Sequence, residues 1–277
     1  MITFPPAKIN IGLNITERRP DGYHNLETVF YPTGYCDVLE IIPSVDPSPS
    51  LSFSGISLPG TDKDNLCVKA IELLSRDFRF PVVRIHLHKN IPPGAGLGGG
   101  SADAAYTLKC LSELFNLNLS SETLEEYARQ LGSDCAFFIR NTPVFAFEKG
   151  DCFETLPIRL ENYLICISIP PLHIGTAEAY AGVTPSPPRH PLKKLIALPP
   201  EEWKSLIVND FEQSVFLKYP ELKNLKEKHY ASGAVYASMS GSGSSVYGIY
   251  RKDGTPGDLR RKLSSLSANC KIYCGQL

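Results

Sequence analysis

The chain has 277 residues, 43% of them hydrophobic, with 28 Lys and Arg set against 29 Asp and Glu. That length allows two domains of ordinary size, and the balanced charge gives no sign of a polyanion partner such as nucleic acid. No apolar run approaches the roughly 18 residues of a membrane span, the first residues carry no basic-then-apolar leader, and the eight cysteines are scattered without a C-x-x-C pair. A cytoplasmic chain with reduced, mostly buried thiols and no membrane association is expected.

Residues 9–15 alternate Ile9, Ile11, Leu13 and Ile15 with Asn10, Gly12 and Asn14, which predicts a strand. Residues 18–24 read as a turn around Pro20, Asp21 and Gly22. Short strands are expected at 37–42 and 51–53, and residues 65–76 have helical spacing in Leu66, Ala70, Leu73 and Leu74. Residues 82–88 alternate again, with Val83, Ile85 and Leu87 on one face and Arg84, His86 and His88 on the other. The His86 and His88 pair has a spacing compatible with a metal, but without a partner ligand it reads as an exposed sheet face. A helix follows residue 100 with Ala104, Leu108, Leu111 and Phe115 on one stripe, and a second runs over 121–131 to a stop at Gly132. Residues 163–169 form a continuous apolar run suited to a buried strand, and 184–191 form a proline-rich loop. Helices are expected at 200–208, 209–219 and 220–229, and strands at 236–240 and 245–250 flank a second glycine–serine turn. The irregular alternation of strands and helices predicts an α+β class.

Residues 92–105 carry the strongest signal. Gly94, Gly96, Gly98, Gly99 and Gly100 fall within seven positions, ahead of a helix start at Ser101, Ala102 and Asp103. Glycine-rich backbone running into a helix N-terminus is an anion site, because unpaired amides and the helix dipole face whatever docks there. A Walker A loop lacks its Lys-Ser/Thr, a dinucleotide fingerprint lacks its acidic residue about 20 positions on, and a protein kinase loop lacks its downstream partners.

Three separated segments together resemble the motifs of the GHMP small-molecule kinases: residues 6–13 with Lys8 and Asn10, residues 91–103, and residues 240–244. Within that superfamily, residues 7–13, Asp21-Gly22-Tyr23-His24, residues 131–138 and residues 209–212 are similar to the branch that acts on a cytidine-diphosphate-linked methylerythritol. Cys135 and Ala136 stand where a valine–proline pair is more usual there, and the 240–244 turn is richer in serine. The resemblance implies a two-domain architecture, with a part like ribosomal protein S5 domain 2 over 1–155 that binds ATP, and a ferredoxin-like, substrate-side part over 156–277. It also implies ATP-dependent phosphorylation of the 2-hydroxyl of that small molecule, in the non-mevalonate route to isoprenoid precursors.

The resemblance assigns roles residue by residue. Phosphoryl transfer asks for positioning and charge neutralisation, and a tertiary alcohol benefits from a nearby base. Asp134 is the candidate base and Lys8 its cationic neighbour; Asp103 is the rival, read as first-turn capping of the helix dipole. The ATP phosphates are expected on Pro92, Pro93, Gly94, Ala95, Gly96, Leu97, Gly98, Gly99, Gly100, Ser101 and Ala102, with adenine near Asn65, Leu66 and Lys89. Mg²⁺ is expected between the phosphates, with the Ser101 hydroxyl meeting phosphate or metal and no further protein ligand evident. Tyr23, Phe30 and Tyr180 are expected around cytosine, His24 at its polar edge, Asn10 at the methylerythritol or diphosphate, and Thr176 in the same segment as Tyr180. Phe137 and Phe138 are expected in the core. The 240–244 turn is expected to close over phosphates or substrate, or else to be a plain hairpin turn.

Overall fold

The computed structural model describes residues 1–57, 64–266 and 269–277. In chain order its first elements are β1 (Ile2–Thr3), β2 (Pro6–Arg18), β3 (His24–Cys36), β4 (Val38–Pro43), β5 (Ser50–Gly55), α1 (Leu66–Ser75) and β6 (Val83–Lys89). Next come α2 (Gly99–Leu114), α3 (Ser121–Leu131), α4 (Phe137–Arg140), β7 (Val144–Phe147), β8 (Cys152–Thr155) and β9 (Tyr163–Ile169). The last are α5 (Thr176–Ala181), α6 (Leu192–Leu195), a 3₁₀ segment (Pro200–Ser205), α7 (Phe211–Lys218), α8 (Pro220–Ala231), β10 (Tyr236–Met239), β11 (Val246–Arg251), α9 (Pro256–Leu266) and β12 (Lys271–Gln276).

The chain forms two compact units that share it in alternating segments. The first comprises Met1–Ala7, Tyr35–Pro93 and Gly98–Thr142, and the second Lys8–Gly34, Gly94–Leu97 and Pro143–Leu277. In the first unit a sheet of order β1-β4-β6-β5 has antiparallel β4/β6 and parallel β5/β6 pairing. The alternation along β6 buries Val83, Ile85 and Leu87 and leaves Arg84 exposed, so the sheet has one core face. Against it lies α2, on which α1, α3 and α4 pack; these helices bury Ala70, Leu74, Leu108, Leu111, Ala128, Phe137 and Phe138. Asn65 caps α1 by accepting the Cys67 N–H at 2.8 Å, and Ser120 caps α3 by accepting the Thr123 N–H at 3.2 Å.

The second unit holds two more sheets. One has the order β2-β3-β7-β8; the other, β10-β11-β9-β12, is antiparallel throughout and packs against α8 and α9. The continuous run of β9 is buried from Leu164 to Ile169, as expected of a strand covered on both faces. Between β10 and the 3₁₀ segment, Trp203 meets Tyr236 edge-on at 5.6 Å and donates its indole N–H to the Leu198 carbonyl. Cys166 on β9 stands opposite Cys274 on β12, and the two form a disulfide; the other six cysteines are free. This corrects the expectation that every thiol is reduced, because strand register joins positions whose chain spacing carries no signal.

β2 departs from its pattern in a useful way. Alternation predicts one wet face, yet Pro6 to Leu13 are buried on both faces. The polar set Lys8 and Asn10 is therefore interior.

Candidate active site

The glycine loop belongs to the second unit over Gly94–Leu97 and to the first from Gly98 onward. Gly94, Gly96 and Gly98 have φ of +67°, +77° and +71°, the left-handed region in which glycine alone is unstrained. Ala95 and Leu97 between them are buried and anchor the loop. Three successive carbonyls are occupied within the second unit. Ala95 accepts from the Ser245 N–H at 3.2 Å, Gly96 from the Ser240 hydroxyl at 2.9 Å, and Leu97 from the Lys8 N–H at 2.9 Å. A Cβ at position 96 would run into the carbonyl oxygens of Ser240 and Gly243. Past Gly98, α2 spans 16 residues, and its first-turn amides have no intrahelical partner by geometry. Unpaired amides at the N-terminus of a long helix are groups that bind anions.

The 240–244 segment connects β10 to β11, and its role differs from that of a cover over ligands. Ser240 and Ser244 are fully buried, with hydroxyls spent on the carbonyls of Gly96 and Leu172. Asn209 holds the turn from behind, donating its amide to the Met239 and Gly241 carbonyls, both at 2.9 Å. Glu212 accepts from the Met239 N–H at 2.8 Å and the Ser238 hydroxyl at 3.0 Å. The turn is a buttress under the glycine loop.

Beside the loop, β2 carries a chain of polar groups. The buried Lys8 ammonium donates to Asn10 Oδ1 at 2.6 Å and lies 4.5 Å from the centroid of the Phe30 ring. Asn10 Nδ2 donates to Thr28 Oγ1 at 3.0 Å, and the Thr28 hydroxyl donates to the Gly12 carbonyl at 2.6 Å. The Asn10 backbone is fixed as well: its N–H reaches Ser240 Oγ at 3.3 Å, and its carbonyl accepts the Tyr247 hydroxyl at 2.8 Å. Lys8 and Asn10 are thereby held in one orientation. Phe30 is buried beneath the ammonium, so its ring serves Lys8.

At the start of β3, His24 stacks on Tyr180 of α5, with centroids 4.8 Å apart and planes at 24°. Tyr180 meets Phe211 edge-on at 4.9 Å. Tyr23 is 65% exposed, with the Lys149 ammonium 5.7 Å from its ring centroid. Thr176 is the exposed first residue of α5.

In the first unit, Lys89 is buried and donates to Asp37 and, at 2.6 Å, to Asp103. Burial works against the charge on Lys89, but the carboxylates of Asp103 and Asp37 hold its pKa above the ordinary value. Burial and the Asp37 charge push the Asp103 carboxyl up despite Lys89, because two carboxylates share one ammonium. Asp103 therefore does not cap the helix dipole: it lies past the first turn of α2, buried in this ion-pair triad. Asp37 Oδ1 also accepts the Asn90 and Ile91 N–H groups at 2.6 and 2.9 Å, tying the triad to the strand that feeds the loop. Asn65 and Leu66 open α1, and Ser101, half-buried, hydrogen-bonds with the buried Cys135, whose thiol burial pushes up to about 12. Asp134 is half-buried in the turn at 133–136 between α3 and α4. Among the described residues, the one group of three clustered ligand atoms from His, Cys, Asp or Glu is Glu148, Asp151 and Cys152, in the β7–β8 turn. His86 and His88 instead bond to Ser52 and Ser54 on the open sheet face.

Thr28, Asp37 and Tyr247 carry no assigned role in the sequence reading, and Ser240 figures there only as part of its turn, yet each fixes a site residue. Their signal is spatial: Ser240 acts on Gly96 across 144 positions, and Asp37 on Lys89 across 52.

A glycine loop whose Leu97 carbonyl accepts from the N–H of a buried lysine suits a phosphoryl-transfer enzyme. Two family models match in the corresponding order: the GHMP kinases N terminal domain over residues 65–142 and the GHMP kinases C terminal over residues 192–269. A protein of Bacteroides thetaiotaomicron named 4-diphosphocytidyl-2-C-methyl-D-erythritol kinase is 54% identical over 92% of this chain and 94% of its own length. One of that name from Cytophaga hutchinsonii is 51% identical over 90% and 92%. A crystal structure of 4-(cytidine 5'-diphospho)-2C-methyl-D-erythritol kinase superposes with a TM-score of 0.84 at 32% identity, covering 99% of this chain and 98% of the other. The chain belongs to the GHMP kinases and, within them, to the 4-diphosphocytidyl-2-C-methyl-D-erythritol kinase family. It thus has the two-domain GHMP kinase fold, and ATP is the phosphoryl donor of that kinase class. A mevalonate kinase structure at 15% identity, with a TM-score of 0.72 over the whole chain, shares the fold alone.

Proposed function

We propose that this kinase transfers the γ-phosphoryl group of ATP to the 2-hydroxyl of 4-(cytidine 5'-diphospho)-2-C-methyl-D-erythritol, in the cytoplasm. The observation that carries the reading is the position of Lys8: its N–H bonds the glycine-loop carbonyl of Leu97 while its buried ammonium is fixed by Asn10. In this proposal the amides of the 94–102 loop take the phosphates, and residues 1–155 carry the nucleotide, with adenine near Asn65, Leu66 and the backbone of Lys89. Residues 156–277 complete the acceptor side through Thr176 and Tyr180. His24, Tyr23 and Tyr180 take the cytosine, since stacked and exposed rings suit a flat base with one polar edge. Lys8 neutralises developing charge on the acceptor oxygen, Asn10 orients the acceptor, and Asp134 accepts the hydroxyl proton.

In the same proposal Mg²⁺ would be held mainly by phosphate oxygens and water, with the Ser101 hydroxyl as the protein donor. Bound there, it would supply charge neutralisation on the phosphates. The test is release of ADP, followed in a coupled assay, with the cytidyl acceptor, mevalonate and homoserine compared at equal concentration. Turnover confined to the cytidyl acceptor supports the proposal. Equal or faster turnover of either smaller alcohol overturns it.

A further inference from the structure

His173 stands at the edge of the glycine loop, and no role described above involves it. It lies in the connection between β9 and α5, within the second unit. Its backbone is pinned on both sides. The Leu172 carbonyl accepts the Ser244 hydroxyl, and Ile174 is 2% exposed in a core that includes Leu13, Phe211, Met239 and Val246. With 172 and 174 fixed inward, the side chain between them faces out, and His173 is exposed. Its ring nevertheless lies against the loop. A Cβ built on Gly94 would come within 2.5 Å of both Cε1 and Nδ1 of the imidazole. The ring occupies the space that any side chain at position 94 would need, and Gly94 has the positive φ that leaves this space open. Among the described residues, no hydrogen bond or ion pair engages either ring nitrogen. An aromatic donor is thus held against the glycine loop with its polar atoms uncommitted.

The same segment runs on into α5, where Tyr180 stacks on His24. One short stretch therefore touches the phosphate loop at 173 and the base-stacking rings at 180. A ligand that spans this stretch has a flat base at one end and an anionic group near the other. A nucleoside diphosphate has that form.

We propose that His173 is a binding residue for the diphosphate of the acceptor, donating an imidazole N–H to a phosphate oxygen beside Gly94. This rests on the cytidyl-acceptor reading above. Imidazole suits the task because it offers a donor on a rigid ring with few rotors to order on binding. The surplus of cytidine diphosphate over cytidine binding then comes in part from this residue.

The experiment is calorimetric titration of the unaltered protein, His173→Ala, His173→Phe and His173→Asn with cytidine and with cytidine diphosphate. Thermal unfolding of each variant checks that it is folded. The unaltered protein is expected to prefer cytidine diphosphate. His173→Ala and His173→Phe are expected to lose about tenfold in affinity for the diphosphate, the scale of a hydrogen bond to a charged group, with cytidine affinity unchanged. His173→Asn, which keeps a donor, recovers part of the loss. In turnover, KM for the acceptor rises in the Ala variant while KM for ATP stays within about twofold. Retained diphosphate preference in His173→Ala overturns the proposal and leaves the cytidyl reading intact. So does an equal loss of both ligands, or a rise confined to the KM for ATP. No binding of either cytidine compound by the unaltered protein overturns the cytidyl reading, and this proposal with it.

Discussion

The hydroxyl of Ser240 donates to the carbonyl of Gly96 at 2.9 Å and faces the N–H of Asn10 at 3.3 Å, joining the glycine loop, the first long strand and the β10–β11 turn at one atom. The contact leaves no room for a side chain at position 96, whose φ of +77° disfavours one in any case. Gly96→Ala is expected to displace the loop from the turn and raise KM for ATP at least tenfold, with about 1–3 kcal/mol of stability lost to strain. Ser240→Ala removes both of these hydrogen bonds but adds no strain to the loop backbone, so about 1–2 kcal/mol and a smaller KM change are expected. Chemical denaturation alongside steady-state kinetics separates the two. A Gly96→Ala enzyme with an unchanged KM for ATP contradicts the tight-packing account.

The triad of Asp37, Lys89 and Asp103 predicts an order of effects. Lys89→Met leaves two buried carboxylates without their cation and is expected to cost about 3–5 kcal/mol. Asp37→Ala also removes the acceptor of the Asn90 and Ile91 N–H groups, so it belongs in the same range. Asp103→Asn is expected to cost less than either, because one Asp103 oxygen has no partner and Asp37 remains to pair with Lys89. Urea unfolding midpoints check the ranking. A cost for Asp103→Asn above that for Asp37→Ala reverses it.

His229 predicts a pH dependence of stability. It is fully buried on α8 between Ser168 Oγ at 3.0 Å and the Tyr250 hydroxyl at 2.8 Å. Burial lowers its pKa to about 4 from an ordinary 6.5. Between those values the unfolded chain binds a proton that the folded chain excludes, so stability falls as the pH drops from about 6.5 to about 4. The slope for one such group is roughly 1.4 kcal/mol per pH unit. His229→Gln is expected to be less stable at neutral pH and to lack this component of acid destabilisation. Parallel pH–stability curves for the two proteins would argue against a neutral His229.

The His24–Tyr180 stack predicts a split between substrates. Removing either ring takes away stacking surface on the cytidyl side while the phosphate loop stays intact. His24→Ala is expected to raise KM for the cytidyl acceptor about tenfold and to leave KM for ATP within about twofold. Tyr180→Phe keeps the ring and is expected to change little. Equal increases in both KM values contradict the assignment.

Much of this arrangement is legible in the sequence because its signals are local. The glycine density at 94–100, the helical spacing over 65–76 and the alternation along residues 82–88 each report the backbone they form. β3 is the chief omission: its 13 residues include Pro32 and Gly34 and mix Thr28, Thr33 and Asn25 among apolar residues, so no clean two-residue period stands out. The roles of Lys89 and Asp103 are hidden for a different reason. A lysine after a strand and an aspartate near a helix start both look solvated until Asp37 is brought beside them, and only tertiary packing does that. Alternation along β2 likewise marks the apolar face but cannot report that Lys8 and Asn10 are also enclosed.

Asp134 closes the proposed mechanism and carries its sharpest test. It follows the Gly132 stop of α3, and Cys135 and Phe138 beside it are buried, so the turn that presents it is anchored in the core. Asp134→Asn keeps the size of the side chain and removes its basicity. Turnover is expected to fall by about 10²-fold or more, the scale of a lost positioned base, while ATP affinity by direct titration stays near that of the unaltered protein. Lys8→Met keeps the apolar contact with Phe30 but removes the charge, and a comparable loss in kcat is expected with little change in either KM. If both residues serve one transition state, the double variant falls short of the product of the single effects, since neither group acts fully without the other. Turnover in Asp134→Asn within a few-fold of normal removes the carboxylate from proton transfer and leaves orientation by Asn10 and charge from Lys8 as the protein's contribution.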